Sequence, residues 1–171
     1  MGARLEGVFI RDIFSSLARS GVGYCVVGGV AVNLHGIPRM TYDIDLVVTP
    51  TAEALGAVEE LLTGMGLRCR LPVRLADFAD PEYRQRMHDE RNLVAVTFTD
   101  PADPLREVDI LVAPPVDARA LVERSIALDL DGTTVRVVAF DDLIALKRAG
   151  GRPQDLADLA LLERIRGDGN V

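Results

Sequence analysis

Residues 24–48 read YCVVGGVAVNLHGIPRMTYDIDLVV, and the order of features in this stretch decides the fold. Tyr24 to Val27 has the composition of a short buried strand and is broken off by Gly28-Gly29. Val30 to Leu34 is brief and contains alanine, which predicts a short helix rather than another strand. His35-Gly36-Ile37-Pro38-Arg39 carries the Gly and Pro punctuation of a loop, and Tyr42 to Val48 is the strongest strand candidate in the chain.

That second strand contains Asp43-Ile44-Asp45. Side chains two apart on a strand share a face, so the carboxylates point the same way, roughly 7 Å apart, while Ile44 and Leu46 face the core. Two ionised carboxylates beside an apolar run are costly unless a cation neutralises them. Mg²⁺ meets that need, being a hard ion that takes carboxylate and phosphate oxygens; Mn²⁺ is the alternative. A later run, Glu107 to Val112, places Glu107 and Asp109 on one face and Val108, Ile110 and Val112 on the other. If the two acidic strands are neighbours, Asp43, Asp45 and Asp109 form a triad able to hold two metal ions. Read blandly, the aspartates are solvated groups at a strand end or on a half-exposed strand. Gly28-Gly29, between strand and helix, lets backbone N–H groups approach a phosphate without a Cβ in the way, though such pairs also serve simple turns.

Outward from this centre, Leu5, Val8, Phe9, Ile13 and Leu17 recur at helical spacing up to Gly21. Thr49-Pro50 reads as a cap and first position of a helix using Leu55, Val58, Leu61, Leu62 and Met65 and ending at Gly66. Residues 71–91 have no sustained period, and a loop with a short helix over Glu82 to Met87 is expected. Leu93 to Phe98 and Glu107 to Val112 are expected to pair as a hairpin around Asp100–Pro104. A helix near Asp117 to Arg124 precedes a second hairpin, Ile126 to Leu130 and Thr133 to Val138, turning at Asp131-Gly132. Asp141 reads as the cap of a helix over Asp142 to Arg148 that ends at Gly150-Gly151. Pro153 opens a last helix packing through Leu156, Leu159, Leu162 and Ile165. The expected architecture is α/β (α+β): a short mixed sheet flanked by helices in one domain over 1–171, with a core at about 22–138 and C-terminal helices at about 140–166.

Composition narrows the function. Of 171 residues 49% are hydrophobic but only 5% aromatic, so the core is aliphatic. A net charge of −7 argues against a broadly basic nucleic-acid surface. Arg68, Arg70 and Arg74, with Arg84, Arg86 and Arg91 further on, read as solvated surface. Cys25 and Cys69 have no metal-ligand spacing and read as reduced, buried thiols. No apolar run approaches membrane-spanning length and no leader pattern opens the chain, so a cytoplasmic protein is expected.

The combination of a strand, Gly28-Gly29, thirteen intervening residues, Asp43-Ile44-Asp45 in a second strand and Asp109 in a third resembles the polymerase-β-like nucleotidyltransferase superfamily. The wording from Gly28 to Leu46 is most similar to its small prokaryotic branches, the minimal and the abortive-infection-type toxin nucleotidyltransferases. Many relatives have Gly-Ser where this chain has Gly28-Gly29. The stretch Asp142 to Lys147, then Arg152, Asp155 and Asp158, is similar to the Lys…Arg…Asp…Asp helical motif of the same branches. The resemblance implies Mg²⁺-dependent transfer of a nucleoside monophosphate from an NTP to an acceptor hydroxyl. It implies Asp43, Asp45 and Asp109 as metal ligands, with Asp109 helping to deprotonate the acceptor. Gly28, Gly29, Arg39, Thr41 and Arg152 are then expected at the nucleotide. Lys147 would face the triphosphate or the transition-state charge, its ordinary reading being an exposed helix lysine. His35 is expected to fix its loop, and His88 to lie on the surface. Arg152 and Asp155 also read as a helix-start ion pair.

The small size favours a macromolecular acceptor, a partner protein or tRNA, in a toxin–antitoxin setting. A catalytically weak binding module of the same fold, acting as antitoxin or scaffold, is the main competitor. A metal-dependent glycosyltransferase also uses Asp-x-Asp but calls for a larger nucleotide-sugar domain. Oligomeric state is not written in the sequence.

Overall fold

The computed structural model describes residues 2–167. Helix α1 (Gly2–Ser20) buries Phe9, Ile13, Phe14 and Leu17, and Gly21 follows it at φ 70°. Val8, expected on the buried stripe, is 54% exposed, because the stripe runs through Phe14 instead; the side chain of Leu5 lies outside the described residues. Then come β1 (Tyr24–Val27), α2 (Gly28–Leu34), β2 (Asp43–Val48) and α3 (Ala52–Gly64). The cap of α3 is Thr51, whose side chain accepts from the Ala54 N–H, two residues beyond the expected Thr49. Thr49 is held by its own N–H, which donates to the Gly23 carbonyl and keeps it level with the sheet.

The region 71–91 is more ordered than its charge pattern implied. After β3 (Arg68–Cys69), a 3-10 turn (Leu75–Ala79) buries Leu75 and Phe78 beside α3, and α4 spans Pro81–Arg91. Asp80 caps α4 through the Glu82 N–H, Pro81 takes the first turn, and Asn92 ends it at φ 50°. Asp-Pro at a helix start is a local signal, whereas the missing apolar period follows from α4 burying only Met87.

The rest comprises β4 (Ala95–Asp100), β5 (Asp103–Leu111), α5 (Ala118–Arg124), β6 (Ile126–Leu130), β7 (Thr133–Val137), α6 (Phe140–Gly150) and α7 (Pro153–Gly167). Both expected hairpins form, the second turning on Asp131 and Gly132 at φ 51° and 84°. Helix α6 begins at Phe140 without a side-chain cap, so Asp141 is not its cap; its carboxylate instead meets Arg166 of α7 at 2.8 Å. On α7 Leu162 is buried, but Leu156 is 55% exposed, because the inward stripe is led by Asp155 and Asp158.

Among the described residues seven strands form one mixed sheet in the order β3-β4-β5-β2-β1-β7-β6. Strand β1 is antiparallel to β2 and parallel to β7, and β2 is parallel to β5. Helix α1 packs on β7, and α5 on β1 and β2. Cys25 is buried, and that burial pushes its thiol up to about 12, so it is an inert core group; Cys69 is half-buried. Among the described residues no helix is long and apolar enough to cross a membrane.

Candidate active site

Strand register assembles the site. Val27 lies opposite Asp45, Asp45 opposite Asp109, and Asp109 opposite Thr97 of β4. Since side chains alternate along a strand, Asp43, Asp45, Asp109 and Thr97 share one face, while the buried Ile44, Leu46, Val108 and Ile110 fill the other. One carboxylate oxygen from each of Asp43, Asp45 and Asp109 lies within 4.8 Å of the other two. Thr41 donates to Asp43 at 3.1 Å and Thr97 to Asp109 at 2.5 Å. Burial, and then the charges of Asp43 and Asp109, push the Asp45 carboxyl up to about 7 against the opposing pull of Lys147 and Arg152. An all-oxygen cluster that raises its own member's pKa lacks positive charge, and a hard divalent ion fits both the donors and the deficit.

The glycines are fixed by the same register. Gly28 follows Val27 and lies against Asp45; its φ is 63°, and a Cβ there would sit 1.8 Å from Asp45 Oδ2. Gly29 is buried, and its Cβ would sit 2.6 Å from Thr41 Oγ1 and 3.1 Å from Arg39 Cζ. The hydroxyl that a serine would bring at position 29 is therefore matched in space by the hydroxyl of Thr41. Installing that serine is expected to lower the melting temperature by about 5 °C, since its Cβ would lie 2.6 Å from Thr41 Oγ1 and 2.9 Å from Thr41 Cβ. The double variant Gly29→Ser/Thr41→Gly, which removes both of those atoms, should recover part of the loss. A single Gly29→Ser that melts with the unmodified chain would contradict this packing.

Three cations close the opposite side. Lys147 is 5% exposed rather than free on its helix; it lies 2.8 Å from Asp158 Oδ2 and 3.1 Å from Asp155 Oδ1. Arg39 reaches the same Asp158 oxygen at 2.6 Å, tying the loop before β2 to α7. Arg152 pairs with Asp155 at 2.8 Å and keeps 78% of its side chain exposed. His35 holds its loop, with Nε2 2.8 Å from the Val138 carbonyl and its ring edge-on to Phe140. His88 is part-exposed beside Asp89.

Gly28, Asp45, Asp109, Lys147 and Arg152 line one cavity of about 1050 Å³. Asp43 stands beside it in the carboxylate cluster, whereas Gly29, Arg39 and Thr41 are not among its lining residues and support it from behind. Sequence reasoning missed Thr97 and the double grip of Asp158. The alternation of β4 places Thr97 on the acidic face, but only the β4–β5 register shows it.

This arrangement defines a nucleotidyltransferase fold. The solution structure of the antibiotic-resistance factor ANT(2'')-Ia is similar at TM-score 0.60 and 14% identity, covering 95% of this chain and 84% of that one. A nucleotidyltransferase from Thermotoga maritima is similar at TM-score 0.54 and 15% identity, over 94% of this chain and 90% of that one. An antigenic nucleotidyltransferase-like protein from Paracoccidioides brasiliensis gives TM-score 0.52 and 18% identity, over 88% and 73%. Comparison with curated protein sequences gives no significant match. The family model of the nucleotidyl transferase AbiEii toxin, of type IV toxin–antitoxin systems, matches residues 15–170, and the chain belongs to that family.

Proposed function

We propose that the chain moves a nucleoside monophosphate from an NTP to a hydroxyl of a macromolecular acceptor, protein or tRNA, as the enzymatic part of a toxin–antitoxin system. The observation that carries this reading is the meeting of Asp43, Asp45 and Asp109 within 4.8 Å, the last two lining a cavity together with Gly28, Lys147 and Arg152. Asp43, Asp45 and Asp109 would hold Mg²⁺, or Mn²⁺ in its place. Bound there, a divalent ion supplies charge neutralisation of the phosphoryl oxygens and a lowered pKa for a coordinated hydroxyl.

The protein's own part is positioning and charge. Gly28 leaves its backbone open beside the carboxylates, where a phosphate has no Cβ to displace. Arg152, the most exposed of the three cations, meets the outer phosphates first. Lys147 presents its ammonium from a fixed place between Asp155 and Asp158, so little reorganisation accompanies the growth of charge on the leaving pyrophosphate. Arg39 and Thr41 act from behind: Arg39 anchors the loop, and Thr41 orients Asp43. Asp109, oriented by Thr97, is the carboxylate placed to take the acceptor's proton.

The test is label transfer. Purified chain with Mg²⁺ and each α-labelled NTP, with total tRNA or with cell extract, is expected to label an acceptor, and Asp43→Ala/Asp45→Ala is expected not to. No transfer together with no Mg²⁺-dependent NTP binding by calorimetry would leave a binding module on this fold.

A further inference from the structure

Charged side chains of α6 and α7 meet the loop before β2 in a cluster that divides into a front and a rear. In front, Lys147, Arg152 and Asp155 line the cavity beside Asp45 and Asp109. Two cations against one carboxylate leave that front row one positive charge. Arg39 and Asp158 are not among the lining residues; they stand behind, pair at 2.6 Å and cancel. Front and rear join at a single atom, Asp158 Oδ2, which lies 2.8 Å from Lys147 Nζ and 2.6 Å from the Arg39 guanidinium. Most other charges of the two helices are matched elsewhere, Arg148 with Glu163, Arg166 with Asp141 and Asp142 with Arg124. Arg164 is exposed, more than a turn beyond Asp158.

The sequence around Arg39 holds it in the rear position. Its backbone N–H donates to Asn33 Oδ1 at 2.7 Å, and its guanidinium passes Gly29, where a Cβ would lie 3.1 Å from Cζ. A side chain at position 29 would crowd that path.

We infer that Arg39 is a positioning residue of the nucleotide site that acts through charge: by balancing Asp158 from behind, it leaves the ammonium of Lys147 uncancelled toward the triphosphate. The inference rests on the nucleotidyltransferase reading of the cavity and goes beyond the anchoring of the loop. Without the Arg39 charge the cluster would hold two cations and two carboxylates, Lys147 and Arg152 against Asp155 and Asp158. The positive excess would be gone, and an unbalanced carboxylate would stand 2.8 Å from the Lys147 ammonium. Water screens that change poorly, because Lys147 and Asp158 are both buried. A triphosphate brings more negative charge than a monophosphate, so it loses more.

A mechanical anchor would behave differently. Cutting either end of the Arg39–Asp158 pair would loosen it, and cutting both would loosen it at least as much. Charge balance lets the second cut repair the first: with the Asp158 charge also removed, Lys147 and Arg152 again outnumber Asp155 by one.

The experiment measures, by calorimetry on the full-length chain with Mg²⁺, the affinity for each NTP and for the monophosphate of the base bound best. Circular dichroism follows folding. Arg39→Gln is expected to weaken NTP binding by about tenfold or more, and monophosphate binding by less. Arg39→Gln/Asp158→Asn is expected to return NTP affinity to within about threefold of the unmodified chain. A folded Arg39→Gln that binds NTP like the unmodified chain overturns the inference, as does equal weakening toward NTP and monophosphate. A folded double variant that binds no better than Arg39→Gln overturns it too, and leaves Arg39 a mechanical anchor. Where Arg39→Gln does not fold, the double variant is compared with Asp158→Asn, which differs from it only at position 39. Tighter NTP binding by Asp158→Asn is then expected, and equal binding overturns the inference. Failure of the unmodified chain to bind any NTP would instead remove the nucleotidyltransferase reading, and this inference with it.

Discussion

Asp45→Asn is expected to cut nucleotidyl transfer by at least about 10³ and, at the same time, to raise the melting temperature of the metal-free chain at pH 8. The activity loss follows from removing a charge at the centre of the carboxylate cluster, where electrostatic contributions to phosphoryl chemistry are largest. The stability gain follows from linkage. Burial and two neighbouring carboxylates raise Asp45 from 3.8 to about 7, so the folded state holds its proton more tightly than the unfolded chain does. Between those values the folded chain binds more protons than the unfolded one, and stability falls as pH rises through 7. The displacement corresponds to ~4 kcal/mol as a ceiling, which relaxation of the site reduces. The asparagine has no charge to accommodate, so a gain of roughly 3 °C or more is expected at pH 8, shrinking through pH 5 and vanishing only below about pH 4, under the unfolded value of 3.8. Saturating Mg²⁺ should erase the advantage by stabilising only the unmodified chain. Equal melting temperatures at pH 8 would mean that the cluster is not short of positive charge.

Asp158→Ala should be the most damaging single change on α7. The Asp158 carboxylate is almost fully buried and accepts from Lys147 at 2.8 Å and Arg39 at 2.6 Å through one oxygen, while Gln154 donates to the other at 3.2 Å. Removing one partner from a buried ionic group costs about 3–5 kcal/mol, because the remaining charges stay buried. For a chain of this size that is a fall of about 10 °C. Leu156→Ala, two residues away but more than half exposed, is expected to shift melting by less than about 2 °C. A mild Asp158→Ala, close to the Leu156 control, would show that Lys147 and Arg39 find other partners.

The parts legible in the sequence were those written in short-range pattern. Strands β1 and β2 and the two hairpins announced themselves through apolar runs and turn residues, and the shared face of Asp43 and Asp45 followed from alternation alone. The triad needed one further fact, that β2 and β5 are neighbours, and register supplied it. Helix α4 was expected only over Glu82 to Met87, short of its Pro81–Arg91 span, because it buries Met87 alone and no hydrophobic period marks its ends. Asp158 was named only as part of a motif and its double grip went unread for a related reason: periodicity ranked Leu156 as core, yet α7 turns carboxylates inward to meet cations from two other segments. Caps at Thr51 rather than Thr49, and the uncapped start of α6, were shifts of a few residues decided by where the sheet ends.

The burial of Lys147 has a use for the chemist. It is the only lysine among the 171 residues, so apart from the terminal amine the chain offers amine-selective reagents a single target, and that target is closed off in its ion-pair cage. Acylation of Lys147 therefore becomes a one-site reporter of whether the cage of Asp155 and Asp158 is open. Its rate can be followed by intact mass, without any substitution, as nucleotide and cation are added.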